Sequence, residues 1–184
     1  MVKKDVVFTD CEMPRWLMEI CFGVWVLHAF YVLSPVSELF GGIPHASQLF
    51  SAVNNLCEAT LYYAMWRAMR RLPRPLPVGW WLLIVLDLLA LLPPLFGPHA
   101  ETVDFVLAFL FQLAYVPLGV LLMLSYRGTL FRLGAWMVVY ILTFTLLPVV
   151  WYMVGGGFPL IALEIVMLVV HLCYIWSLRC ALFA

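Results

Sequence analysis

Asn54, Asn55 and Glu58 interrupt an otherwise apolar run between Ser47 and Arg67. A carboxyl beside two amides can hold a proton, a cation or a small polar solute, because the acid supplies charge and each amide both donates and accepts. On a helix, spacings of three and four put all three side chains on one flank. Groups of the same kind recur in other apolar runs: His28, Asp87, Gln112, Glu164 and His171. Glu164 and His171 lie about two turns apart on one helical stripe.

The cost of such groups depends on where the chain puts them. An ionised carboxylate at the centre of a bilayer costs about 2.5 to 3.5 kcal/mol on insertion scales. No Lys or Arg falls at that depth in any run. Glu58 and Asp87 are therefore expected to be protonated, paired with His28 or His171, or bound to a cation or water. The candidate substrate or ion site comprises Glu58, Asp87, Asn54, Asn55, Gln112, His28, Glu164 and His171. Neutral groups also serve as hydrogen bonds between helices in lipid, and Asn54, Asn55, Gln112, Thr143 and Thr145 suit that plainer role. Two histidines could ligate haem only with facing rings. Neither stands in a distinctive motif, so no cofactor and no metal is expected.

Composition requires the membrane. Of 184 residues, 66% are apolar and 11% charged, and mean hydropathy is +1.05. Such a chain has too little polar surface to cover a soluble globule. The five cysteines form no CxxC pair, and packing is their expected role. No catalytic or nucleotide-binding motif is present.

A crossing helix needs about 20 mostly apolar residues. Six runs qualify: Arg15 to Ser34, Ser47 to Arg67, Val78 to Phe96, Ala100 to Leu124, Leu133 to Val154 and Phe158 to Leu178. An open sheet edge cannot be satisfied in lipid, so the expected fold is all-α, a polytopic transmembrane helical bundle. Breaks fall at Gly41-Gly42, Pro73 to Pro77, Gly97-Pro98, Gly128 and Gly155 to Gly157, all residues of turn chemistry. Residues 1–14 form a short cytoplasmic segment without a cleavage site, and 15–184 form one domain whose first run is expected to be a retained anchor.

Charge sets the expected orientation. Lys3, Lys4 and Arg15 precede the first run, Arg67, Arg70, Arg71 and Arg74 follow the second, Arg127 and Arg132 separate the fourth and fifth, and Arg179 follows the sixth. The alternate loops carry Glu38, Glu101 and Asp104 without a basic residue. By the positive-inside rule both termini are cytoplasmic, in what reads as a bacterial inner membrane. Trp16, Trp66, Trp80, Trp81, Trp136 and Trp176 near one interface, with Trp151 and Tyr152 near the other, are expected to form aromatic belts. The arginine-rich loop is read as orientation signal and lipid contact, not as a nucleic-acid surface.

The segment Phe111 to Pro117, with Tyr126-Arg127-Gly128 and Leu147-Pro148, resembles the emopamil-binding and sigma-2-receptor-like sterol-binding family. That family is a shorter bundle with acids in its spans. Here Gln112 occupies the equivalent helix and spans two and three have no counterpart, so membership is not assigned.

The expected function is that of a transporter or channel component for a proton, cation or small solute. Alternatives are an intramembrane protein or enzyme acting on a lipid or sterol-like molecule, with Glu58 or Asp87 as acid/base, and a structural or pore-forming subunit. Expected partners are membrane lipid, a small solute or apolar ligand, and either further copies of the chain or a larger membrane complex.

Overall fold

A computed structural model describes residues 13–33, 35–36, 46–70, 76–93, 100–154 and 159–183. The expectations for Lys3, Lys4, Cys11, Glu38, Arg71, Arg74 and the loops at Gly41-Gly42, Gly97-Pro98 and Gly155 to Gly157 lie outside them.

The described residues form six main helices: α1 Arg15–Tyr31, α2 Ala46–Met69, α3 Leu76–Leu89, α4 Ala100–Ser125, α5 Gly128–Met153 and α6 Leu160–Leu182. The all-α expectation holds. Three of them, over Thr102–Ser125, Gly128–Met153 and Leu160–Leu182, are long and apolar enough to cross a membrane. The others fall short for local reasons. α1 has 17 residues, and the polar side chains of α2 dilute its hydropathy. α3 has 14 residues and ends seven residues before Phe96, the expected limit. Its last turn tightens, with the Leu92 N–H donating to the Leu89 carbonyl at 3.0 Å. Pro93 lies immediately beyond, and the residue before a proline is driven out of helical geometry.

Each helix packs chiefly on its neighbours in the chain, and α6 returns to α1, so the principal contacts make a closed ring. Successive helices run antiparallel. His28 of α1 meets Ser51 of α2, Trp80 of α3 donates to the Met69 sulfur of α2, and Arg179 of α6 grips Glu19 of α1. Arg15, Arg67, Arg132 and Arg179 consequently sit at one end, the arginine end. There the Arg179 guanidinium makes a forked pair with the Glu19 carboxylate at 2.7 and 3.1 Å, the bidentate geometry that gives an ion pair its specificity.

Packing is uneven along the ring axis. Among the described residues, α5 buries nothing beyond Ile141, α6 nothing before His171 and α2 nothing before Asn54. Among the described residues, packing is close at the arginine end and sparse at the far end. Part of the close approach comes from Gly119 and Gly134, where α4 and α5 touch. A Cβ on Gly134 would lie 2.5 Å from the Gly119 carbonyl oxygen, and one on Gly119 2.8 Å from that of Gly134. Small residues let apolar helices approach until their backbones meet. Gly128, with φ of 64°, turns the chain from α4 into α5 in a conformation a Cβ disfavours.

Trp80 corrects the belt expectation. Its side chain is fully buried and faces the ring interior, whereas Trp16, Trp81 and Trp176 are exposed.

Gly134→Ala is expected to lower stability by about 1 to 3 kcal/mol, the usual cost of overpacking. Gly23→Ala, where nothing lies within 4 Å, should instead be neutral or gain up to about 1 kcal/mol from helix propensity. Thermal unfolding of the two variants in detergent checks the contrast, and equal losses would refute the backbone contact.

Candidate functional site

Every helix sends one large aromatic ring to the centre: Trp25, Tyr62, Trp80, Tyr115, Tyr140 and Tyr174, from α1 to α6 in order. Their centroids are closely spaced. Trp25 stands 5.9 Å from Tyr62 and 5.5 Å from Tyr174, Tyr62 5.7 Å from Trp80, and Tyr140 5.1 Å from Tyr174. Edge-to-face pairs such as Trp25 on Tyr174, at 88°, are favourable beyond their area.

Hydroxyls so deep need partners, since an unpaired buried donor costs about 1 to 3 kcal/mol. Tyr62 is the shared partner. The Tyr174 hydroxyl donates to Tyr62 at 3.2 Å, and Tyr62 and Tyr115 are hydrogen-bonded directly. Tyr62 in turn reaches the Glu58 Oε2 at 3.5 Å. A phenol has one proton. If Tyr62 gives its proton to Glu58, Tyr115 must donate to Tyr62, and the protons of the cluster all point toward the acid. The Asn54 amide donates to the other carboxyl oxygen, Oε1, at 2.5 Å.

On the open side of this layer lies a cavity of about 220 Å³. Its walls include six of the eight sequence candidates: His28, Asn54, Asn55, Glu58, Glu164 and His171. The one-flank placement of Asn54, Asn55 and Glu58 and the shared stripe of Glu164 and His171 bring them there from α1, α2 and α6. Tyr140 and Phe144 of α5 complete the wall. Leu33, at the far end of α1, also lines it.

The two remaining candidates go elsewhere. Asp87 is 2% exposed, on the same stripe of α3 as Trp80 and Leu83, and does not line the cavity. Its Oδ2 has no hydrogen-bond partner among the described residues. Gln112 is half-buried and outside the lining, because it sits beside the buried stripe of Leu107, Ala114, Leu118 and Leu122 rather than on it. The expected histidine pairing is also replaced. Glu58 bonds Asn54 and Tyr62, while His28 Nε2 lies 3.4 Å from Ser51 Oγ. Thr145, expected to bridge helices, donates to the Ile141 carbonyl of its own helix at 2.7 Å.

A second, polar cavity of about 400 Å³ opens toward the far end between α2, α3 and α4, with Ser47, Gln48, Ser51 and Asp104 in its walls. It shares Asn55 with the first. The Asn55 amide reaches the Ala90 carbonyl at 3.5 Å.

Two buried atoms on the first cavity's residues lack partners among the described residues: Asn54 Oδ1 and His171 Nε2. His171 stands in a box of rings, 5.0 Å from Tyr140, 5.8 Å from Phe144 and 5.9 Å from Trp25. Sequence reasoning missed the tyrosines. Each apolar run carries two or more aromatics, and nothing in their spacing marks the one that faces the centre.

Comparison with known proteins brings no match to a family model, a curated protein or a solved structure.

Tyr62→Phe should cost more stability than Tyr174→Phe, because it removes the bonds to Glu58, Tyr115 and Tyr174 together. Single hydrogen bonds between helices are worth about 0.6 to 2 kcal/mol in membrane proteins. Unfolding midpoints of both variants test this, and an indifferent Tyr62→Phe would refute its place as the shared partner.

Proposed function

We propose that all six helices lie in the membrane with both termini cytoplasmic, and that the chain carries a proton, cation or small polar solute through the Glu58 cavity. One observation carries this reading: two acids, two amides and two imidazoles from three helices line a single cavity. Polar and ionisable groups inside a membrane are costly and usually mark pathways. The arginines at one end support the orientation.

The aromatic layer favours a gated carrier over an open channel. On the arginine side of Glu58, the rings of Trp25, Tyr62, Trp80 and Tyr174 are fully buried, so a solute entering from the far end meets a packed wall. Passage requires that wall to move, as rocking does in alternating access. Asp87, buried on α3 with no partner for its Oδ2 among the described residues, then serves as a second acid for the pathway.

A second reading as a lipid-binding protein has its own support. A groove of about 940 Å³ between α1 and α6 has apolar walls, including Phe22, Leu172 and Trp176, with the Glu19–Arg179 pair at its end. Flux and lipid binding separate the two readings.

In proteoliposomes, the chain should sustain pH-dependent cation or proton flux. Glu58→Gln should keep the unfolding midpoint yet cut that flux about tenfold or more, the equivalent of roughly 1.4 kcal/mol, and flatten its pH dependence. Wild-type flux from both Glu58→Gln and Asp87→Asn would refute the carrier reading.

A further inference from the structure

Resting on that reading, we propose that the ligand of the Glu58 cavity is a small primary alkylammonium ion, its charge held between Glu58 and the ring faces of Tyr140 and Phe144. The wall chemistry selects this class. Among the described residues no Lys or Arg lines the cavity, two carboxyls do, and aromatic rings occupy the α5 side. The ring faces of Tyr and Phe attract a cation within about 6 Å of their centroids. Tyr140 and Phe144 are 4.6 Å apart at an angle of 43°, and His171 closes the corner at 84° to Phe144.

An inorganic ion would use this space poorly. A hard cation is bound by a close shell of oxygens, whereas these carboxyls stand on different helices and much of the wall is ring and methylene. At about 220 Å³ the cavity exceeds several times the roughly 30 Å³ share of one water, room for a short organic molecule.

Unsatisfied acceptors choose among ammonium ions. Asn54 Oδ1 and His171 Nε2 are buried and without partners among the described residues. In the tautomer with its proton on Nδ1, His171 Nε2 is an acceptor. Pro148 has no N–H to give the carbonyl of Phe144, four residues earlier. A primary ammonium has three N–H donors to meet such groups. A quaternary ammonium has none and would leave them unpaired, at a cost.

Calorimetry on the full chain in nanodiscs tests this with n-propylammonium, its neutral counterpart propan-1-ol, tetramethylammonium, and sodium and potassium chloride. Propylammonium should bind, propan-1-ol should not, and tetramethylammonium should bind at least about tenfold more weakly, the worth of one lost charged hydrogen bond. Phe144→Leu should weaken propylammonium about three- to tenfold, the range of a cation–π contact, while Phe144→Tyr keeps the ring and the affinity. The Tyr variant also guards against loss of fold in the Leu variant. Equal binding of propan-1-ol or tetramethylammonium, or an unchanged Phe144→Leu, would overturn the assignment. Sodium or potassium binding that propylammonium does not displace would overturn it too, yet leave the cation reading standing. Absence of both binding and liposome flux would fell the carrier reading itself.

Discussion

A buried hydroxyl among apolar side chains has nowhere to put its proton except on another polar group. Tyr115 and Tyr174 resolve this by sharing Tyr62, and Tyr62 resolves it by reaching Glu58. Much of the rest follows from that constraint. To keep these hydroxyls in reach, α2, α4 and α6 must converge at one level, although the main contacts of each helix are with its neighbours in the ring. Trp25 and Trp80 fill the gaps, and the Gly119–Gly134 contact draws α4 against α5 just on the arginine side. The aromatic layer is thus both the centre of packing and the place where the acid is held.

The layer also divides the molecule. Toward the arginine end the side chains interdigitate and the Glu19–Arg179 pair ties the last helix to the first. Toward the far end the helices part, burial ceases on α5 and α6, and the polar residues of α2 line two adjoining cavities. A bundle built this way has one sealed half and one receptive half. Such asymmetry is what a binding site with one-sided access requires, and it gives the proposed carrier its starting state.

How much of this the sequence discloses depends on whether a feature is local. The grouping of Asn54, Asn55 and Glu58 follows from helical spacing alone, as does the stripe of Glu164 and His171, and these reach the same cavity. Position along each helix is also legible, because it is counted from the breaks in the apolar runs. Rotation is not. Gln112 has the right depth but lies beside its helix's buried stripe, and Asp87 is buried on α3 without reaching the cavity. The tyrosines were obscured by chemistry: an amphipathic ring suits a membrane interface and a hydrogen-bonded interior equally well. Trp80 shows the same ambiguity, and only its packing on Tyr62 and Met69 decides it. Hydropathy alone carries the third run to Phe96, whereas α3 ends at Leu89, ahead of Pro93.

The central claim is that the aromatic layer seals the Glu58 cavity from the arginine end while leaving it reachable from the other. Single cysteines introduced as Ser51→Cys and Met65→Cys, in a chain whose native cysteines are replaced, place one thiol on each side of the layer. Labelled in intact cells by a membrane-impermeant thiol reagent, Ser51→Cys should react and Met65→Cys should not. Reaction of Met65→Cys from outside, or protection of Ser51→Cys there, would contradict the account.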